Sequence, residues 1–176
     1  MKNNNVKKMV LCASLIAIGI VLNQFRLFHA PLGGSVTPLS MLVITLCGYF
    51  AGPKWGLTSG LAYGLLNLAF GGYVIHPIQL ILDYVLAFTV LGLSGFFAEK
   101  KNGLYTGYLV SVFARLIFSF LSGWIFFGSY APEGMYPWLY SLLYQLSYIG
   151  IEAVISVIVL YIPVVHNTIY KLKKSF

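Results

Sequence analysis

Two adjacent polar side chains, Asp83 and Tyr84, interrupt a long apolar segment of this sequence. A carboxylate inside a membrane-spanning helix costs roughly 2.5 kcal/mol or more of insertion free energy, and it usually marks a site for a ligand, an ion or a proton. Successive residues lie about 100° apart around a helix, so one side chain can bind while the other packs or closes the wall. Asp83 is therefore the leading candidate for the chemistry of this chain.

Two further ionisable residues, Arg115 and Glu152, fall within apolar segments. If both acids are ionised, two acids and one base leave one uncompensated negative charge, which favours a cationic guest. The alternative is a structural arrangement in which Arg115 pairs with one acid and the other acid is protonated. We expect Arg115 to pair with Asp83 or Glu152 rather than to contact a substrate.

Aromatic residues recur at helical spacing before Glu152. Tyr140, Tyr144 and Tyr148 precede it at intervals of four residues, which aligns the four side chains on one slowly drifting helix face. Trp138, Tyr140 and Tyr144 also fit an aromatic belt at a membrane interface, whereas Tyr148 and Glu152 lie too deep for that interpretation.

The composition indicates which elements position these residues. With 59% hydrophobic and 9% charged residues among 176, the chain has too little polar side chain to coat a soluble globule. We predict a single all-α integral membrane domain, residues 1–176, because about six spans fill this length. The predicted helices cover about 7–25, 38–51, 55–70, 77–97, 105–127 and 137–164.

The basic residues predict the orientation. Lysines cluster at residues 2–8, 54, 100–101 and 171–174, which share one side of a six-helix arrangement. That side is predicted to be cytoplasmic, with both termini inside. Because these clusters flank apolar runs, the net charge of +7 reflects topology rather than a nucleic-acid partner.

Three glycine-containing connections, about 26–37, 71–76 and 128–136, fall on the opposite side, where Arg26 is the one basic residue. Glycine lets the backbone approach a ligand closely, so these connections are candidates for a lid over a binding site. The alternative is that glycine and proline simply terminate helices there.

Other functional classes receive little support from the sequence. Cys12 and Cys47 lie in apolar segments without a metal-ligand pattern, which indicates small buried side chains rather than a metal site or a disulfide. An intramembrane enzyme using Asp83, Glu152 or His76 lacks a nucleophile, base and orienting residue in recognisable spacing. We therefore predict no catalytic residue, no metal and no cofactor.

Small residues mark one face of the first predicted helix. Ala13 and Ala17 form a small-xxx-small pair, a pattern that permits close helix packing in lipid. Packing within this chain and contact with a partner subunit fit the pattern equally well.

Taken together, four stretches resemble the thiamine-specific S-components, the substrate-binding membrane subunits of energy-coupling-factor (ECF) vitamin transporters. They are Gly33-Gly34-Ser35-Val36-Thr37, Gly52-Pro53-Lys54-Trp55-Gly56-Leu57, Leu82-Asp83-Tyr84 and residues 126–135. The resemblance implies a six-helix S-component fold in a bacterial plasma membrane, with an outward vitamin pocket covered by loops. It also implies a transmembrane coupling subunit and two cytoplasmic ATPases as partners, which would use the ATP.

The resemblance also implies roles for individual residues. It places the family's acid and tyrosine pair at Asp83 and Tyr84, and the contact with the coupling subunit at Ala13 and Ala17. Two positions depart from the family pattern: Ser119 replaces a histidine and Gln145 replaces an asparagine. The full predicted binding set is Asp83, Tyr84, Tyr73, Ser119, Phe127, Tyr140, Tyr144, Gln145 and Tyr148.

Both departures affect hydrogen bonding, and sites built on hydrogen bonds discriminate strongly when one partner is missing. The predicted function is therefore import of thiamine or a close heterocyclic vitamin. The alternatives are the same fold with another ligand, such as hydroxymethylpyrimidine or pyridoxine, and a solitary carrier that couples uptake to protons through Glu152.

Overall fold

The computed structural model describes residues 2–25, 27–29 and 35–175, and for residues 2, 3, 28 and 29 it describes the backbone alone. Within these ranges the chain forms seven helices and one short antiparallel strand pair. The helices are α1 Lys2–Gln24, α2 Ser40–Ala51, α3 Pro53–Ala69, α4 Pro77–Phe97, α5 Gly103–Phe126, α6 Pro137–Tyr161 and α7 Pro163–Lys173. The strands are β1 Phe28–His29 and β2 Ser35–Val36, in which Phe28 pairs with Val36.

Four of the described helices, α1, α4, α5 and α6, are long and apolar enough to cross a membrane. The all-helical membrane architecture predicted from composition is therefore confirmed, whereas six spans and the positions of the termini stay predictions. The sixth predicted helix ends at Tyr161 rather than at residue 164, and α7, which was not predicted, follows it. Ile162 is extended with ψ of 120°, which the steric clash with Pro163 favours.

The hydrophobic core is centred on α2, which packs against α1, α3 and the end of α4. Ten of its twelve residues are buried. A helix that is apolar on every side suits such a central position, where protein rather than lipid surrounds it.

A row of glycines brings α3 and α4 into backbone contact. Gly56, Gly60 and Gly64 repeat at intervals of four residues along one face of α3. A Cβ atom at Gly64 would collide with the carbonyl oxygen of Tyr84, and one at Gly60 with that of Phe88. Close approach of this kind depends on small residues in membrane helices. The contact fixes the part of α4 that carries Tyr84 and Phe88.

The two faces of α1 have different surroundings. Cys12 is buried, and the backbone oxygen of Gly19 accepts a hydrogen bond from the Tyr63 hydroxyl at 3.3 Å. Ala13 and Ala17, by contrast, are exposed on this chain. Their small side chains therefore do not serve packing within the described part of the molecule, and they leave a flat strip on its surface.

Two helices widen locally into π-helical turns, at Ile81–Leu86 in α4 and at Leu146–Gly150 in α6. A π-helical turn accommodates an extra residue, and such turns are frequent at functional sites. The first contains Asp83 and Tyr84, and the second contains Tyr148. Both turns therefore lie where the sequence predicts the binding site.

Candidate functional site

A cavity of about 470 Å³ opens between α4, α5 and α6 and the connections that precede α4 and follow α5. Eight of its fifteen lining residues are aromatic. The lining residues are Tyr73, Gln79, Asp83, Tyr84, Phe88, Arg115, Ser119, Gly123, Phe127, Tyr130, Tyr140, Ser141, Tyr144, Gln145 and Tyr148.

All nine residues of the predicted binding set line this cavity. Their contact with a ligand stays a prediction, whereas their meeting at one place is a feature of the fold. Six lining residues were not in the predicted set: Gln79, Phe88, Arg115, Gly123, Tyr130 and Ser141. Of these six, Gln79 could have been predicted from the sequence, because it lies four residues before Asp83 and thus on the same helix face.

Asp83 is held by two donors that both bind the same oxygen. The Gln79 amide donates to Oδ2 at 2.6 Å, and the Ser122 hydroxyl donates to Oδ2 at 2.8 Å. No hydrogen bond to Oδ1 is formed within the described ranges. Hydrogen bonds to an ionised carboxylate are about twice as strong as neutral ones, so the two donors orient the group firmly. The remaining oxygen is left free to accept from a ligand.

The same helix holds the connection before α4. The Tyr84 hydroxyl accepts from the backbone N–H of Tyr73 at 2.9 Å, and Gln79 donates to the backbone oxygen of Tyr73 at 3.3 Å. Tyr84 therefore uses its hydroxyl to fix the loop and presents its ring to the cavity. Gln79 contacts both the loop and Asp83, so it connects the two.

Aromatic rings line two sides of the cavity. On α6, Tyr144 lies 6.1 Å from Tyr140 and 5.6 Å from Tyr148, measured between ring centroids. At the end of α5, the Phe127 ring lies 6.4 Å from that of Tyr73. Rings at these spacings offer flat faces to a planar or cationic ligand.

Ser119 and Gln145, the two positions predicted to depart from the family pattern, have different roles. The amide nitrogen of Gln145 donates to the backbone oxygen of Ser119 at 3.0 Å, and its oxygen accepts from the Tyr148 hydroxyl. Gln145 thus joins α5 to α6 and fixes a ring of the wall. The Ser119 hydroxyl forms no hydrogen bond with the part of the chain that the structure describes, so it is available to a ligand.

Arg115 does not pair with Asp83 or Glu152, which corrects the expectation from the sequence. The one ion pair among the described residues joins Lys173 to Glu99 at 2.9 Å. Both intramembrane acids already have other donors, and the guanidinium carbon lies 4.1 Å from the centre of the Phe88 ring. Cation–π attraction of this kind strengthens when the cation is desolvated. The buried Nε of Arg115 has no hydrogen-bond partner, so the guanidinium faces the cavity with unused donors.

Glu152 lies outside the cavity, although its spacing predicts a common face with the tyrosines. Its carboxylate accepts from the Thr37 hydroxyl at 2.8 Å, the Ser40 hydroxyl at 3.0 Å and the backbone N–H of Met41 at 2.9 Å. Four residues exceed a full α-helical turn by about 40°, so three such steps rotate the side chain by about 120°. The acid instead caps the N-terminus of α2, where the helix dipole favours a negative charge.

The displacement of Glu152 changes the charge argument. The cavity holds one acid, Asp83, and one base, Arg115, rather than an excess of one acid. Any preference for a cation must therefore come from the local position of Asp83 and the aromatic faces. The unpaired guanidinium of Arg115, which also lines the cavity, suits a hydrogen-bond acceptor on the same ligand.

The three predicted loops contribute unequally. The second provides Tyr73, and the third provides Tyr130 next to Phe127. Arg26, Gly33 and Gly34 of the first loop lie outside the described residues, and its described part does not line the cavity. Within the described ranges no group of three histidine, cysteine or acidic side chains is placed to hold a metal ion.

Comparisons with known proteins agree with one another. The sequence profile of the thiamine transporter protein (Thia_YuaJ) family matches residues 9–172. The thiamine transporter ThiT of Bacillus subtilis (strain 168) is 36% identical over 165 residues, covering 86% of this chain and 84% of that protein. ThiT of Lacticaseibacillus paracasei is 36% identical over 102 residues, covering 48% of this chain and 51% of that protein.

A solved structure of ThiT from Listeria monocytogenes resembles this fold. It superposes with a TM-score of 0.78, covering 96% of this chain and 98% of that one at 24% sequence identity. This likeness concerns the fold, whereas the profile and the Bacillus relative concern the family. A multi-pass helical protein of the plasma membrane fits all three findings. The chain belongs to the thiamine transporter protein (Thia_YuaJ) family, whose members are transporters rather than enzymes.

Proposed function

We propose that this chain is the substrate-capture subunit, or S-component, of an ECF-type ABC transporter that imports thiamine or a closely related heterocyclic vitamin. The names of its relatives support thiamine as the first ligand to test. One observation carries the proposal: an acid with a free oxygen lies in a cavity of about 470 Å³ surrounded by eight aromatic rings. Cavities of a few hundred cubic ångströms suit small organic ligands.

The geometry suggests how thiamine binds. The free Oδ1 of Asp83 accepts from the amino group of the aminopyrimidine or lies against the positive thiazolium ring. The rings of Tyr73, Tyr84, Phe127 and the α6 tyrosines enclose the two heterocycles. Each cation–π contact contributes about 0.5–2 kcal/mol, so several rings can hold a cation without an excess of acids. The Ser119 hydroxyl and the Arg115 guanidinium supply donors.

The test of the ligand is a titration of detergent-purified protein, followed by intrinsic tryptophan fluorescence. Thiamine, hydroxymethylpyrimidine, pyridoxine and riboflavin are compared on the wild type and on Asp83→Asn. We expect tight thiamine binding in the wild type and a loss of roughly tenfold or more in the variant, because a charged hydrogen bond contributes about 1.5–3 kcal/mol. If the protein does not bind thiamine but binds another of the compounds tightly, thiamine is the wrong ligand, and the proposed role in substrate capture still stands.

The second candidate ligand class follows from Ser119. The resemblance implies an imidazole at this position, and the hydroxyl that stands here is smaller and a weaker base. A ligand whose hydrogen bonds do not need the imidazole, such as hydroxymethylpyrimidine, loses nothing by the change. Competition between thiamine and hydroxymethylpyrimidine in the same titration distinguishes the two classes.

The proposed partners are a transmembrane coupling subunit and two cytoplasmic ATPases, which hydrolyse the ATP. The support from this chain is the exposed strip at Ala13 and Ala17, since small residues on a membrane helix permit a second helix to approach closely. We therefore propose this strip as the interface with the coupling subunit.

The interface is tested with Ala13→Trp/Ala17→Trp and with Ile18→Trp as a control. Ile18 is 48% exposed and lies about 140° from Ala13 around α1. We expect the double variant to bind ligand normally but to fail in co-purification with the coupling proteins, whereas the control assembles. Ligand uptake into vesicles by this chain alone would contradict the S-component mechanism and support a solitary carrier.

A further inference from the structure

A second cavity, of about 780 Å³, lies at the opposite end of the helix bundle. Gly95, Ala98 and Glu99 line it at the end of α4, whereas Asp83, near the start of α4, lines the first cavity. Lys8 of α1 also lines it, as do the connections between α2 and α3 and between α4 and α5. The proposed vitamin site does not use this cavity.

Its lining is strongly basic. It contains five lysines and one acid, which leaves an excess of four positive charges. The charged residues are Lys8, Lys100, Lys101, Lys173, Lys174 and Glu99. The acid is already occupied, because Lys173 pairs with Glu99 at 2.9 Å. The remaining four lysines therefore face the cavity without an acidic partner in the described part of the chain.

Aromatic rings hold several of these lysines in place. The ammonium of Lys174 lies 5.4 Å from the centre of the Tyr170 ring, and that of Lys100 lies 4.7 Å from the Phe97 ring. A ring contributes attraction but takes none of the three N–H donors of an ammonium group. Lys8 is half-buried and forms no hydrogen bond or ion pair with the described residues. The cavity thus offers positioned donors and unbalanced charge to an anion.

Helix dipoles do not account for this attraction. Two helices begin at the cavity, α3 and α5, and three end there, α2, α4 and α7. Their partial charges therefore leave no excess of positive charge. The side chains of the lysines therefore provide the field, and lysine is a common point-charge ligand of phosphate.

The surroundings of the cavity are apolar. Phe96 is 58% exposed, and Tyr170 and Leu172 of α7 are also exposed. Tyr49 and Tyr105 line the cavity itself. Exposed apolar side chains beside a cluster of lysines are typical of the interface between a membrane and water, where acyl chains and head groups meet. A ligand that is anionic at one end and apolar at the other matches both surfaces.

We propose that this cavity binds the phosphate diester of an anionic phospholipid head group, while the acyl chains lie on the exposed apolar surface next to it. A basic pocket between membrane helices is suited to such a head group. A free phosphate shares the anionic chemistry but lacks the acyl chains, so the two sources can be distinguished by experiment.

The test uses the full chain in neutral detergent and measures bound lipid by native mass spectrometry. The probes are phosphatidylglycerol, phosphatidylcholine and inorganic phosphate. The test variant is Lys8→Gln/Lys101→Gln/Lys174→Gln.

Its matched control is Lys7→Gln/Lys54→Gln/Lys171→Gln, which removes the same charge at positions that do not line the cavity. Both variants carry a net charge of +4 in place of +7, since each loses three lysines. The melting temperature of each variant in detergent reports whether it is folded.

We expect one phosphatidylglycerol per wild-type chain and little phosphatidylcholine. Each lysine near an anionic surface contributes about fivefold to affinity, so the test variant should bind phosphatidylglycerol roughly 100-fold more weakly. The control should stay within about threefold of the wild type. Equal losses in the two variants, or equal binding of phosphatidylcholine, would overturn the proposal.

Two further outcomes would also overturn it. Inorganic phosphate that binds as tightly as phosphatidylglycerol would assign the cavity to a soluble anion. Unchanged lipid binding in the test variant, together with its failure to assemble with the coupling proteins, would assign the lysines to an acidic surface of a partner protein.

Discussion

Replacing Glu152 with glutamine should destabilise the protein without weakening ligand binding by the folded chain. The carboxylate accepts three hydrogen bonds at the N-terminus of α2, from Thr37, Ser40 and the backbone of Met41. A hydrogen bond to a charged group contributes about 1.5–3 kcal/mol and a neutral one about 0.5–1.5 kcal/mol. Losing about 1 kcal/mol at each of three bonds gives a total of about 3 kcal/mol.

This loss is measurable as a shift in the melting temperature. A change of 1 kcal/mol corresponds to about 2–4 °C for a chain of this size, so Glu152→Gln should melt roughly 10 °C lower in detergent. Glu152→Ala should melt lower still, because it leaves buried donors without an acceptor. Glu133→Gln serves as the matched control, since Glu133 is exposed and its replacement should change the free energy of unfolding by less than about 0.5 kcal/mol.

Thiamine titration of the same variants completes the test. Glu152 does not line the ligand cavity, so the affinity of the folded Glu152→Gln protein should stay within about threefold of the wild type. An unchanged or raised melting temperature would refute the charged-cap interpretation. A large loss of affinity at an unchanged melting temperature would place Glu152 in the transport chemistry, as the proton-coupled carrier requires.

Two other predictions concern the contacts that hold α4 and the loop before it in place. Gly64→Ala should lower the melting temperature by several degrees, because the new methyl group meets the Tyr84 backbone and overpacking costs about 1–3 kcal/mol. Gly150→Ala is the control and should be tolerated, because its methyl group would meet the nearest side chain at an ordinary distance of 3.7 Å. Tyr84→Phe should accelerate ligand dissociation by about three- to tenfold in stopped-flow fluorescence, because both hydrogen bonds between the hydroxyl and the Tyr73 backbone are lost. Tyr136→Phe, an exposed change outside the cavity, should have no such effect, and equal effects would contradict the role of the Tyr84 hydroxyl.

Local patterns in the sequence predicted the helices, the pair Asp83 and Tyr84 and the tyrosines of α6, whereas the family resemblance supplied the rest of the predicted site: Tyr73, Ser119, Phe127 and Gln145. The predicted span 77–97 coincides with α4, and the predicted start at 137 coincides with α6. Hydrophobic runs and prolines are local signals, and Pro77 and Pro137 occupy the first turn of their helices, where a proline lacks no hydrogen bond. The site residues converge because these helices are neighbours in the bundle.

Features that depend on distant contacts were not predictable in the same way. The hydrogen bond between Thr37 and Glu152 joins residues 115 positions apart, and the bond between Ser122 and Asp83 spans 39 positions. No periodicity indicates which acid caps a helix and which faces a cavity. The pairing predicted for Arg115 was wrong for the same reason, since other donors had already bound both acids.

The packing of α3 on α4 through a row of glycines was not predicted, although its signal is local. Gly56, Gly60 and Gly64 carry the same small-xxx-small spacing as Ala13 and Ala17, and this local signal was available in the sequence. Spacing alone does not tell whether a strip of small residues faces its own chain or a partner. The structure separates the two, because the glycines are buried against α4 and the alanines are exposed.

The contact between α3 and α4 divides the cavity into a fixed half and an adaptable half. Behind Tyr84 the backbones of α3 and α4 are in direct contact, so no side chain lies between the two helices there. Ser119 and Gln145 belong to another wall, where the Gln145 side chain joins α5 to α6. Substitutions among the side chains of α5 and α6 can therefore change what this pocket accepts, while the backbone contact behind Tyr84 stays the same. Ser119 and Gln145, the two positions predicted to depart from the family pattern, both lie on the wall that permits such change.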